Sequence, residues 1–146
     1  MNIVKLTLDE LPAVWDLLEV FDRTPAPRPE LSQMENILNQ LLSNGGAVLG
    51  AKVNDEIVGT CTIAICPNLS WTGRPYAMVE NVIVAEKYRM QGIGKALMIK
   101  AQSLAKEAGC YKIALMTGSQ RTESFKFYEA SGFVGNKAGF QQRFDA

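Results

Sequence analysis

The sequence predicts an α/β (α+β) fold in one domain spanning residues 1–146: a mixed, largely antiparallel sheet with a central parallel βαβ unit, flanked by helices. Three observations carry this. Stretches of period-two alternation interleave with stretches of helical spacing along the whole chain, so sheet and helix share one core. Two strand-like runs meet at Asn54-Asp55 with no room for a crossover, which makes them an antiparallel hairpin. Two more, Ala77–Val84 and Tyr111–Thr117, are separated by a helix-length stretch, which makes them parallel and joined right-handedly.

The elements follow in order. NIVKLTL alternates apolar and polar residues and reads as the first strand. Thr7 stands three residues before Glu10, the spacing of a capping box, and opens a helix through DELPAVWDLLEVF. Leu11, Val14, Trp15, Leu18 and Phe21 recur at helical spacing, so this stripe belongs to the core. RTPAPRP breaks the helix, and a second runs from about Glu30 to Ser43, closed by Asn44-Gly45-Gly46. AVLGAKV and EIVGTCTIAI form the hairpin, and PNLSWTGRP is a loop by composition. YAMVENVIV is a strand. Ile93, Leu97, Ala101, Leu104, Ala105 and Ala108 mark one face of the next helix, which Gly109 ends. YKIALMT is a short strand, RTESFKFYEAS a short helix stopped by Gly132, and GFQQRF a terminal strand.

Composition narrows the function. The net charge is zero, so a general nucleic-acid-binding surface has no support. No apolar run approaches the roughly 20 residues needed to span a bilayer, and the N-terminus lacks the apolar core of a signal peptide. A cytoplasmic location without membrane partners is the expectation. The three cysteines show no CxxC spacing, so neither a disulfide framework nor a metal site is indicated. There is no histidine, which excludes Ser-His-Asp and Cys-His nucleophile systems and HExxH metalloproteases.

The most informative stretch is VIVAEKYRMQGIGKALM. Gly92 and Gly94 sit where a helix begins, and Arg89 and Lys95 flank them, although cations at a helix N-terminus are normally unfavourable. A phosphate or pyrophosphate held by the unpartnered helical amides would make both cations useful. By itself the turn also fits a tight strand-to-helix connection with exposed cations. Neither a Walker A loop nor a dinucleotide fingerprint fits: Ala96 follows Lys95, and Leu97 stands where a third glycine is needed.

The pattern that does fit is RxxGxG. VIVAEKYRMQGIGKAL resembles the acetyl-coenzyme A signature of the GNAT N-acetyltransferase superfamily, and GCYKIALMTGSQRTESFKFYEASGF resembles its later strand and aromatic helix. The resemblance implies a GNAT-like fold and assigns coenzyme A binding to Val82, Ile83 and Val84 at the strand end. It extends that role to the turn Arg89, Met90, Gln91, Gly92, Ile93, Gly94 and Lys95, and to Arg121 and Phe127. Arg121 departs from the family, whose members often carry Asn there. Within the C-terminal half the likeness is to glucosamine-6-phosphate and aminoalkylphosphonate acetyltransferases.

The resemblance implies acetyl transfer from acetyl-coenzyme A to a primary amine, expected to be a small molecule. Glu80, the acid inside the strand YAMVENVIV, is the candidate base, on the expectation that burial raises its proton affinity. A structural or solvent-facing role is the alternative. Tyr128 is the candidate acid that protonates the departing thiolate, with a packing role as the alternative. Trp71, Arg74 and Tyr76 in one loop, and Asp22, Arg23 and Arg28 in another, are candidate borders of an acceptor pocket. A silent acyl-coenzyme A-binding regulatory module is the competing function. A homodimer exchanging the terminal strand is compatible with the sequence.

Overall fold

The computed structural model describes residues 1–21, 26–118 and 120–145, and the chain divides into two compact units, Met1–Leu115 and Met116–Ala146. The first holds strands β1 (Asn2–Lys5), β2 (Ala47–Val53), β3 (Glu56–Cys66), β4 (Tyr76–Val84) and β5 (Lys112–Leu115), in the spatial order β1-β2-β3-β4-β5. Neighbours are antiparallel except β4 and β5, which are parallel, as the βαβ reading requires. The βαβ unit lies at the β5 end of this sheet. Its helices are α1 (Leu11–Phe21), α2 (Leu31–Ser43), the single turn α3 (Ser70–Gly73) and α4 (Ile93–Glu107); the second unit holds α5 (Thr122–Ala130).

The sheet is covered on both faces. A Cβ at Gly50 would press on Leu6, whereas one at Gly59, a step across the pleat, would meet Ile93 and Leu97 of α4. On the Leu6 face, α1 and α2 contribute Leu11, Val14, Met34 and Leu38 to a buried cluster with Val48. On the other, Leu97, Met98 and Ala101 of α4 are buried against the sheet with Leu49, Cys61 and Ile63. Each such large apolar side chain contributes about 1.5–3 kcal/mol by leaving water.

Local chemistry sets the boundaries. The Thr7 N–H donates to Glu10 Oε1 at 3.0 Å, completing the expected capping box, although Leu8–Glu10 winds as a 3-10 turn before α1 begins. Glu10 also forms an ion pair with Lys52 of β2, tying the start of α1 to the sheet. The long helices end alike. After α2 the Gly45 and Gly46 N–H groups bond back to the Leu42 and Leu41 carbonyls; after α4, Gly109 and Cys110 bond to Lys106 and Ala105. After α5, Gly132 and Phe133 bond to Glu129 and Tyr128. Each is a Schellman motif built on a left-handed glycine.

The terminal strand expected over GFQQRF does not form. Residues 139–144 have no regular structure, and Phe140 and Phe144 are 93% and 89% exposed. Alternation alone does not make a strand, which needs a ladder partner, and the glycine-flanked segment Gly135–Gly139 leading into it favours extended pairing poorly. The loop before β4 differs too, for it contains α3, with Trp71 and Thr72 in left-handed backbone.

Candidate functional site

The site starts where β4 outlives β5. Their parallel pairing stops at Val79 opposite Leu115, so Glu80–Val84 keep β3 on one side and have no strand on the other among the described residues. The Ala85 N–H bonds to the Val58 carbonyl at 2.8 Å. The alternation of an antiparallel ladder then turns the peptide groups of Ile83 toward β3 and the carbonyl of Val84 outward. Arg89 Nε donates to that outward carbonyl at 3.0 Å. Of the strand-end residues expected to meet coenzyme A, Val84 therefore offers backbone to the open edge, and Ile83 spends its peptide groups within the sheet.

Just before this edge the strand carries a bulge. Thr60 pairs with Ile83 and Thr62 with Glu80, so Cys61 alone faces both Asn81 and Val82. Asn81 adopts a left-handed φ of 57°, and asparagine is among the few residues that do so readily. The bulge was not anticipated, yet YAMVENVIV holds its signal. Ala77 and Val79 are buried, and strict alternation would send polar Asn81 to the same side, opposite fully buried Cys61. The extra residue lets Asn81 stay exposed and resets the alternation behind it. Burial pushes the Cys61 thiol up to about 12, so it stays protonated and unreactive beneath the strand.

Beyond Val84 the chain turns through Glu86–Tyr88 into the glycine turn. Met90 has φ 64° and Gly92 φ 80°; left-handed backbone is how loops draw successive amides into an anion-binding concavity. Gly92 is the N-cap of α4, and no side chain caps it. The first intrahelical bond is Ala96 N–H to the Gly92 carbonyl at 3.0 Å, which leaves the amides of Ile93, Gly94 and Lys95 without helical partners. A Cβ at Gly92 would meet nothing within 4 Å, so it is the left-handed φ and not a lack of space that favours glycine there. Ile93 is buried against the sheet and anchors the helix start, while Arg89, Gln91 and Lys95 are exposed. The Gln91 amide donates to the Lys87 carbonyl at 3.3 Å, and the Met90 side chain is fully exposed. Unpartnered amides and two cations suit a pyrophosphate.

The remaining candidates separate. Glu80 lies directly opposite Thr62 and is exposed, which corrects the expectation of burial: the strand at that point has already left β5. In the second unit, Tyr128 is half-buried, its ring edge-on to Phe127 at 4.8 Å and to Phe133 at 5.9 Å. The second of these is the apolar contact that accompanies the Schellman motif ending α5. Phe127 is half-buried beside it, and Arg121 is the exposed N-cap of α5.

The loop candidates have structural partners. Arg74 donates to the carbonyls of Gly109 and Cys110 at 3.1 and 2.8 Å, and Trp71 stacks on Tyr111 at 5.3 Å. This bolts the β3–β4 loop to the α4–β5 turn, at the end of β4 away from the glycine turn. Arg28 is bound to Asp16 and Glu19 of α1, at 2.8 and 3.0 Å, which raises its own proton affinity further. Asp22 and Arg23 lie outside the described residues.

With a mixed sheet in which β4 outruns β5 and a glycine-capped helix reached from that strand end, the chain has the framework of an acyl-coenzyme A-binding transferase. It belongs to the acetyltransferase (GNAT) family, whose model matches residues 11–133. Acetyl-coenzyme A is the acetyl donor in this family of enzymes. Among relatives, a glucosamine 6-phosphate N-acetyltransferase of Trypanosoma brucei brucei is 35% identical over 90 residues, 62% of this chain and 58% of that protein. The chain thus spans less than two thirds of that relative's length. A putative acetyltransferase from Agrobacterium tumefaciens superposes with a TM-score of 0.88 and 33% identity, covering 99% of this chain and 100% of that one. An acetyltransferase of Trypanosoma brucei gives 0.82 with 27% identity, covering 98% and 99%.

Proposed function

We propose that the chain is an acetyl-coenzyme A-dependent N-acetyltransferase acting on a primary amine of a small molecule. The observation that carries this reading is the conjunction of the open β4 edge with the uncapped, glycine-opened start of α4, reached through the same short turn. In this reading Arg89, Lys95 and the amides of Ile93, Gly94 and Lys95 hold the pyrophosphate, and the Val84 carbonyl at the strand edge meets the amide-bearing arm of the coenzyme. Bound acetyl-coenzyme A supplies the activated acetyl group. Glu80 takes the proton from the attacking ammonium, directly or through water. Backbone N–H groups beside the bulge face the oxygen on which negative charge develops. Tyr128 gives its phenolic proton to the departing thiolate sulfur. The glucosamine 6-phosphate acetyltransferase among the relatives supports a small acceptor, and a cytoplasmic location belongs to the same proposal.

Calorimetric titration with acetyl-coenzyme A, followed by a thiol-release screen of amines, tests it. Gly92→Val puts a β-branched residue at a left-handed position of the turn, so it should disturb the turn and lose binding while circular dichroism shows the fold retained. A folded wild-type chain that ignores acetyl-coenzyme A would overturn the reading.

A further inference from the structure

We propose that Arg89 is an internal stand-in for the coenzyme. In the free chain its guanidinium holds the strand-edge carbonyl that the amide-bearing arm needs, and the pyrophosphate draws it away. The two halves of the coenzyme therefore bind with positive coupling. The inference rests on the function proposed above and concerns the regulation of that same site.

The conflict is visible at one atom. Arg89 Nε donates to the Val84 carbonyl at 3.0 Å, and among the described residues this is the one hydrogen-bonding partner of the Arg89 side chain. The bond from the Ala85 N–H to Val58 turns the Val84 peptide groups away from β3, toward the edge that β5 no longer covers. A carbonyl oxygen has two lone pairs, but β3 closes one side of the strand. A guanidinium and a strand-like arm must then share the same outer side. Three residues after Arg89 the turn reaches Gly92 and the amides without helical partners. A phosphate attracts a guanidinium more strongly than a neutral carbonyl does, because both partners are then ionised. Arg89 thus opposes the arm and favours the pyrophosphate.

The experiment separates the two halves. Acetyl-pantetheine, which lacks the pyrophosphate, and ADP, which lacks the arm, are titrated into the full chain as wild type, Arg89→Ala and Lys95→Gln. Chemical shifts in NMR report the fragments, calorimetry reports acetyl-coenzyme A, and circular dichroism checks the fold. Arg89→Ala is expected to bind ADP and acetyl-coenzyme A less tightly, yet acetyl-pantetheine roughly 2- to 10-fold more tightly, the net worth of one hydrogen bond. Lys95→Gln removes a charge from the same turn without touching Val84, so it should weaken ADP binding and leave acetyl-pantetheine unchanged. Saturating ADP should raise wild-type affinity for acetyl-pantetheine by a similar factor, and Arg89→Ala should abolish that gain. Acetyl-pantetheine binding no tighter in Arg89→Ala than in wild type, undetectable binding included, overturns the inference alone. Coupling to ADP that survives the variant does so too. A folded wild-type chain that binds neither acetyl-coenzyme A nor ADP overturns the function and this inference together.

Discussion

Glu80 and Tyr128 illustrate how far single residues can be taken. Glu80 is held in register opposite Thr62, so its place does not depend on its charge. Glu80→Gln should therefore leave acetyl-coenzyme A affinity intact while kcat falls roughly 10²- to 10⁴-fold, the range a positioned base supplies. Unchanged turnover would remove Glu80 from the mechanism. Tyr128→Phe keeps the ring contacts to Phe127 and Phe133, so a fall of roughly 10²-fold in kcat would report the lost proton donor. Full activity in that variant would assign the ring to packing alone. The sequence offers both as candidates by residue type and by the stretch each stands in. What was not legible was the solvent exposure of Glu80, because burial is decided by the length of the neighbouring strand. Asn81 shows the opposite case, a polar residue at a core-parity position whose local preference already points to the bulge.

At the scale of elements, the helix ends were the most readable features, since capping chemistry acts over three or four residues. Thr7 with Glu10, and the glycines at 45, 109 and 132, stand where the structure needs them. Replacing Gly132 by alanine puts a Cβ at φ 96° and should cost about 1 kcal/mol or more of stability, read as a lowered thermal midpoint. It should also lower kcat, because the Phe133 contact that braces Tyr128 belongs to the same motif. The pairing of Glu10 with Lys52 makes a pH prediction. Chiefly through its hydrogen bond to Lys52, then through the Thr7 N–H, the Glu10 carboxyl is held down to about 2 from an ordinary 4.5. A lowered native value stabilises the fold above the unfolded value and loses that contribution as pH falls from about 4.5 towards 2. Solvent screening limits it to about 1 kcal/mol. Urea unfolding of Glu10→Gln should differ from wild type near neutrality and converge with it in that acid window. A constant gap down to the lowest pH would assign the difference to packing. The terminal strand lay beyond such local reasoning, because pairing is decided by a partner distant in sequence.

For the whole molecule, the alternation of strand and helix was enough to pair the hairpin and to make the strands of the βαβ unit parallel, though not to place that unit at the edge of the sheet, and two motifs at the right separation were enough to place the family. Net charge, by contrast, says little about fold and a good deal about binding. With a net charge of zero, no overall field draws an anion to this protein. Any attraction for the coenzyme must come from the local group at the head of α4: Arg89, Lys95 and the helical amides. Such charges are exposed, and screening by salt shortens their reach to about 10 Å at 0.1 M and about 3 Å at 1 M. Acetyl-coenzyme A affinity, measured by calorimetry across that range, should therefore fall several-fold, and replacing both Arg89 and Lys95 by glutamine should flatten the dependence. The backbone amides carry fixed partial charges in direct contact with the ligand, so the residual affinity of the double variant measures their share. A wild-type affinity indifferent to salt would mean that the amides alone hold the anion. The two cations at this helix N-terminus would then need a different explanation.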